Sequence, residues 1–327
     1  IAEIGINHSG SLSTAKYLVD LAAENGADII KSQFHIPHEE MSNEAKKVIP
    51  PDANISIFEI MEECALTIDE EYELKEHIES TGKQYLSTPF SALAAKYLDE
   101  MQVKAFKIGS GECSNRAVLE SVAKFKKPMI ISTGLNTIEN IKKSCQIVEK
   151  FIDNNFLLMH TTNLYPTPNH LVRLGGLNEL QKMVGISRVG LSDHTISNHA
   201  CFGAVALGAS ILERHFTDTM TREGPDIICS MDPIQAKDLI EGANILFSQR
   251  GGSKEPAKEE QVTIDFAFAT VVSIADISKG DTFTKENLWV KRPGTGEILA
   301  AEYQNILGKK ANKFIPNNTH LRKEDII

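Results

Sequence analysis

Apolar runs of β type alternate with helical periodicity along the first three quarters of the chain, and this alternation limits the fold more than any single motif. The runs are Ile1 to Ile6, Asp28 to Phe34, Gln84 to Ser87, Ala105 to Ile108, Met129 to Ser132, Phe156 to His160, Val189 to Ser192 and Ser210 to Arg214. Helical patterns follow them, among them Ser13 to Asn25, Asp69 to Thr81, Ser91 to Glu100, Asn115 to Phe125, Ile138 to Ile152, Asn198 to Leu207 and Pro233 to Phe247. Eight such units in about 250 residues predict a TIM (β/α)8 barrel, with the active site in the loops after the strands. A doubly wound sheet is the alternative, but no GxGxxG follows the first strand. The barrel is expected over residues 1–249, a charged linker rich in Gly and Pro over 250–264, and a compact second domain over 265–327. A domain that small is marginal alone and is expected to dock on the barrel or on another subunit.

Composition removes several classes of function. A net charge of -10 with no basic cluster argues against a nucleic-acid partner, and no apolar run reaches the length of a membrane span. Any anionic substrate must therefore be met by a few local cations. The five cysteines are scattered, with no CxxC pair, which fits reduced thiols and a cytoplasmic location. No secretory signal is seen; the chain opens on Ile1 inside a strand pattern, so upstream residues are expected.

If the barrel reading holds, the residues that end the strands share one cavity. Neighbouring strands seven and eight end in His194 and His215, which the strand spacing places about 5 Å apart, half of a metal site. Imidazole suits Zn, Mn, Fe, Cu or Ni, and the nearby Asp193, Glu213, Asp218 and Asp226 favour a harder ion such as Mn²⁺. A single histidine at a strand end is more often structural; two on neighbouring strands shift that balance. Lys31 and Lys107 lie inside apolar strands, where an unpaired ammonium is costly, and together they imply an anionic ligand. Thr88, Ser110, Ser132, Thr133 and Ser192, with glycine-bearing turns, supply the hydroxyl and N–H donors that a phosphate needs. Glu3, Glu112 and Asp226 fall near the histidine pair, as carboxylates able to orient water or move protons. These residues point to a metal-assisted reaction that joins or splits a phosphorylated small molecule and a polar partner.

The motifs AEIGINH (Ala2 to His8), STPF (Ser87 to Phe90), KIGSGE (Lys107 to Glu112), STG (Ser132 to Gly134), NLYPTP (Asn163 to Pro168), GLSDHT (Gly190 to Thr195), LERHFT (Leu212 to Thr217), GPD (Gly224 to Asp226) and LWVKRPGTG (Leu288 to Gly296) together resemble the sialic acid synthase family, in particular its bacterial N-acetylneuraminate branch. The resemblance spans essentially the whole chain. It implies a TIM barrel followed by an antifreeze-like (β-clip/SAF) domain, in a domain-swapped homodimer. It implies condensation of phosphoenolpyruvate with N-acetylmannosamine and water, releasing phosphate, for a product that feeds capsule or lipooligosaccharide. The alternative is a sister legionaminate or pseudaminate synthase acting on a 6-deoxy diacetamido sugar.

The resemblance further implies that Lys31, Thr88, Lys107, Ser110, Ser132, Asn163 and Ser192 hold phosphoenolpyruvate. His194 and His215 would bind a divalent ion, Mn²⁺ foremost and otherwise Mg²⁺ or Co²⁺. Glu3 would help place the metal-bound water, while Gln33, Glu112, Tyr165 and Asp226 would contact the sugar hydroxyls or that water. Arg292 would reach the partner subunit's barrel and bind the N-acetyl group, with Phe266 closing the same pocket. Ser32 and Phe34 depart from the family's usual His-Gln-Thr pattern after the first lysine and are expected to alter the strand-two wall. A glycan- or ice-binding protein without catalysis, and a metal-dependent aldolase or sugar-phosphate hydrolase on the same barrel, are the other classes.

Overall fold

The computed structural model describes residues 1–50 and 54–327. They form two compact units, Ile1–Gly251 and Gly252–Ile327. In the first, eight strands run parallel: β1 (Ala2–Gly5), β2 (Ile29–Phe34), β3 (Gln84–Pro89), β4 (Phe106–Ile108), β5 (Met129–Ser132), β6 (Phe156–Thr161), β7 (Val189–Asp193) and β8 (Ile211–His215). The principal helices that follow them are α1 (Leu12–Glu24), α2 (Ile68–Ser80), α3 (Ala92–Glu100), α4 (Arg116–Ala123), α5 (Ile138–Ile152), α6 (Gly175–Val184), α7 (His199–Ala206) and α8 (Pro233–Gln249). The hydrogen-bonded order is β3-β2-β1-β8-β7-β6-β5-β4, and the chain's ends meet in the β1–β8 pair. This is a TIM-like barrel; among the described residues no ladder bridges the β3–β4 seam.

The helices start where the sequence offers caps. Thr67 and Glu70 form a reciprocal capping box at α2, and Asp232 and Gln235 do the same at α8, with Pro233 in its first turn. Ser11, Ser91 and Thr137 each accept a backbone N–H at the starts of α1, α3 and α5. Each helix lays an apolar stripe on the sheet: Leu18 and Val19, Leu74 and Ile78, Leu98, Leu119 and Val122, and Val148 are buried in one core with Ile4, Ile30, Phe106, Ile108, Ile131, Leu158 and Leu191. Burying each such side chain contributes about 1.5–3 kcal/mol, which is what holds the strand ends in register.

Outward and inward residues alternate along β2. Lys31 and Gln33 belong to the pocket side, while Ser32 bonds Tyr85 and the helix residue Glu71, and the Phe34 ring packs on Tyr97 of α3. The expectation that Ser32 and Phe34 alter the strand-two wall is therefore corrected: both face the helix layer.

The second unit has its own core of Val271, Ile277, Phe283, Leu288, Ile298, Tyr303, Ile306, Ile315 and Leu321. It is built on the antiparallel pair β9 (Thr270–Ser273) and β10 (Leu288–Lys291), with single bridges such as Ile277 to Ile315 and Thr282 to Lys310. The segment expected to be a linker is ordered in its last part, where Lys258–Glu260 forms a 3-10 turn and Gln261–Ala267 a short helix. Among the described residues, no helix is long and apolar enough to cross a membrane.

Candidate active site

Strand register brings the charged residues together. Glu3 of β1 pairs with Lys31 on one side and with His215 on the other, and Ser192 of β7 pairs with Glu213 of β8. Glu3, Lys31, Lys107, Glu213 and His215 are all buried inside the barrel. The Lys31 ammonium lies against the Glu3 carboxylate, donates to Thr88 Oγ1 at 3.2 Å and stands 3.8 Å from Glu213 Oε1. Lys107 Nζ donates to Ser132 Oγ at 2.8 Å and to the same Glu213 oxygen at 3.1 Å, which also accepts from Ser192 Oγ at 3.3 Å.

Glu213 is thus the residue on which both lysines converge, a role that the sequence reading did not give it. A glutamate in an alternating strand carries no local mark of its partners, which come from β2 and β4. The clue was in ILERH, whose period of two puts Glu213 on the same face as His215.

The electrostatics follow from this placement. Burial would raise the Glu213 carboxyl, but Lys107 and Lys31 overcome it and hold it down at about 2. Burial dominates at Glu3 and lifts it to about 7, against the pull of Lys31. Burial acts against the Lys31 ammonium, but Glu213 and Glu3 outweigh it and raise its pKa; Lys107, where burial prevails, is lowered. Two lysines thus share one carboxylate that they hold down and one that burial raises. The cluster keeps a positive excess for an anion.

A cradle lies beside it. A β-carbon on Gly134 would come within 1.9 Å of Asn163 Oδ1 and 2.8 Å of Ser110 Oγ, so only glycine lets the loop after β5 approach both. Asn163 Oδ1 is buried without a partner. Lys31, Thr88, Lys107, Ser110, Ser132, Asn163 and Ser192 accordingly line one side of the barrel's carboxyl end.

On the other side stand the histidines, with ring centroids 5.5 Å apart. Burial, then the neighbouring His215, push His194 down to about 4; burial, then Lys31, push His215 down to about 3. Both rings are neutral, the form that binds a metal. His194 Nδ1 donates to the Thr162 carbonyl at 2.9 Å, which leaves Nε2 as the lone pair. His215 Nδ1 is buried without a hydrogen bond, 3.5 Å from Asp226 Oδ2. The pair fits a divalent ion in its chemistry. Among the described residues no three His, Cys, Asp or Glu side chains converge tightly enough to hold one alone, so water and substrate oxygens would complete the shell.

Tyr165 stacks on His194 with centroids 4.2 Å apart, and burial raises Asp226 to about 6. Burial also raises Glu112, at the rim after β4. Behind the histidines the buried Arg214 donates to Asn198 Oδ1 and to the Thr195 carbonyl, each at 2.6 Å, and so ties β8 to the loop that follows His194. Phe266 and Arg292 belong to the second unit, where both are exposed. A separate cavity of about 430 Å³ opens at the strands' amino ends, lined by Ile1, Ile29, Leu212, Met231 and Phe247. It lacks the lysines and histidines, and the chemistry is at the opposite end.

Residues 18–255 match the NeuB family, and residues 268–327 match the SAF domain. The chain belongs to the NeuB family. It is an enzyme of the sialic acid synthase group, with the SAF domain as its second unit. NeuB-family relatives align along nearly all of it. The N,N'-diacetyllegionaminic acid synthase of Campylobacter jejuni is 36% identical over 330 residues, 99% of this chain and 98% of that protein. The human N-acetylneuraminate-9-phosphate synthase is 30% identical over 328 residues, 99% of this chain and 91% of that protein. The crystal structure of N-acetylneuraminic acid (sialic acid) synthetase from Leptospira borgpetersenii, 27% identical, superposes with a TM-score of 0.73 over 80% of this chain and 88% of that one.

Proposed function

We propose that this chain condenses phosphoenolpyruvate with an acylated amino sugar and water, releasing phosphate and forming a nine-carbon 2-keto acid. The observation that supports this reading above the others is the pair of buried lysines sharing Glu213, set beside two neutral imidazoles. Lys31 and Lys107, with Thr88, Ser110, Ser132, Asn163 and Ser192, would hold the phosphate and carboxylate and exclude water from them. A divalent ion at His194 and His215, Mn²⁺ foremost, would supply Lewis acidity toward the sugar aldehyde.

Carbon 3 of phosphoenolpyruvate forms a bond to the aldehyde carbon, whose oxygen takes up a proton. Water adds at carbon 2 and gives up a proton, and phosphate departs by carbon–oxygen cleavage. Glu3, whose pKa burial raises, would be the group to take part in that proton transfer. Glu112, Asp226, Tyr165 and Gln33 would orient the sugar and the water, and Arg292 with Phe266 would complete the acyl pocket from the partner of a homodimer. The five free cysteines and a phosphorylated metabolite as substrate suit the cytoplasm.

N-acetylmannosamine is the first reading of the sugar. The similarity to a diacetyllegionaminic acid synthase favours a second, a 6-deoxy diacetamido sugar, which the same chemistry would serve. A pocket built to bond the 6-hydroxyl rejects the deoxy analogue strongly, so competition separates the two. The test is phosphate release from phosphoenolpyruvate with Mn²⁺, with either sugar or none, with and without chelator. Sugar-dependent release abolished by chelator is expected, and the preferred sugar decides between the readings. No release with either sugar would overturn the catalytic assignment.

A further inference from the structure

Past the end of β2 the chain runs through His35 into a short turn of helix, Pro37–Glu40, which brings Glu40 back over the imidazole. The His35 ring is buried and stacked on Phe90, centroids 4.2 Å apart and planes 15° from parallel. Its Nδ1 lies 2.9 Å from Glu40 Oε1 and its Nε2 lies 3.1 Å from Gln33 Oε1. A carboxylate oxygen and an amide oxygen are both acceptors, so each meets the ring as the partner of an N–H donor. The other titratable groups that face it are His8, Glu112 and Asp226.

With Oε1 engaged by His35, the Gln33 amide nitrogen points the other way. It sits 3.4 Å from the position a β-carbon on Gly5 would take, a position that Glu3 Oε1 approaches to 2.9 Å and His215 Cε1 to 3.5 Å. The amide N–H groups therefore face the middle of the pocket. Without an N–H donor at Nε2 nothing holds the amide oxygen on this side, and a reversed amide would turn that oxygen toward the Glu3 carboxylate.

We propose that His35, held by Glu40 and Phe90, is a positioning residue that fixes the Gln33 side chain as a hydrogen-bond donor toward the pocket. The sugar site at this point accordingly takes an accepting oxygen. The inference rests on the condensation proposed above and names the element that sets one contact of its sugar subsite.

The test uses the full chain with His35→Phe, which keeps the stack on Phe90, alongside Gln33→Ala and the double variant. His35→Phe is expected to raise KM for the sugar about tenfold, the effect of one lost, well-placed hydrogen bond, while KM for phosphoenolpyruvate stays within about twofold. In the Gln33→Ala background the same change is expected to cost less than about twofold, since the group it positions is gone. Glu40→Gln, which keeps an acceptor for Nδ1, should retain the sugar KM that Glu40→Ala loses. A readout independent of turnover is the Gln33 side-chain NH₂ resonance pair, assigned by its loss in Gln33→Ala, which should shift in His35→Phe without any ligand. Additive effects in the double variant, or an unmoved Gln33 pair in folded His35→Phe, would overturn the proposal. If the wild type turns over neither sugar, the catalytic reading fails and the resonance pair still decides the role of His35.

Discussion

Glu71 sits on α2 with its side chain in the layer between helix and sheet, where its Oε2 accepts from Tyr85 Oη at 3.0 Å and from Ser32 Oγ at 3.3 Å. Ser32 reaches on to Ser87 Oγ at 3.0 Å, so one carboxyl anchors a small chain of hydroxyls. Burial lifts this carboxyl to about 8, and the bonds from Tyr85 and Ser32 oppose the shift without cancelling it. The folded state therefore holds the proton more tightly than the unfolded chain, whose carboxyl titrates near 4.5. Stability from this group is complete below about pH 4.5 and is lost as pH rises through about 8. Glu71→Gln, neutral at every pH and still an acceptor, should flatten that decline. Urea unfolding from about pH 5 to pH 9 should show the variant gaining on the wild type by about 1–3 kcal/mol at the alkaline end. Parallel pH curves for the two proteins would mean that Glu71 is ionised at neutrality.

At the scale of elements, β8 does most to assemble the site, because its alternation sends Glu213 and His215 inward and Arg214 back toward the helices. The carboxylate is hydrogen-bonded to one buried lysine and close to a second. Removing one member of such a cluster leaves uncompensated buried charge, so Glu213→Gln should destabilise the fold by about 3 kcal/mol. An anion in the pocket can stand in for the lost carboxylate. Inorganic phosphate should therefore raise the Tm of Glu213→Gln more than that of the wild type, as read by thermal unfolding. Equal shifts in the two proteins would place the phosphate away from the lysines.

The same strand shows what a single sequence does and does not reveal. All eight strands were legible from apolar runs bounded by turns, because burial on both faces leaves a strong local signature. The histidine pair and the two lysines were legible from chemistry, since a charge inside a strand demands a partner. Glu213 as that partner was not, because the contact joins residues 106 positions apart and depends on register. The outward aim of Ser32 and Phe34 was hidden for the same reason: a slip of one residue exchanges the faces of a strand.

At the scale of the molecule, the two units pose the question of whether Arg292 serves a pocket made by the barrel. Each unit has a core of its own, and Arg292 and Phe266 are exposed on the smaller one. The family resemblance assigns Arg292 to the partner's active site, and mixing separates that arrangement from one within a single chain. Lys107→Ala disables the barrel and leaves Arg292 intact; Arg292→Ala does the reverse. If Arg292 works in trans, a mixed dimer holds one site built from the intact barrel of one chain and the intact arginine of the other. Random exchange makes about half of the dimers mixed, each with one working site of two, so co-expression should restore about a quarter of wild-type phosphate release. If Arg292 served its own barrel, every site in the mixture would lack one of the two groups, and activity would stay at the level of the single variants. Size-exclusion chromatography of each variant keeps the result readable, since a variant that fails to dimerise cannot complement in either arrangement.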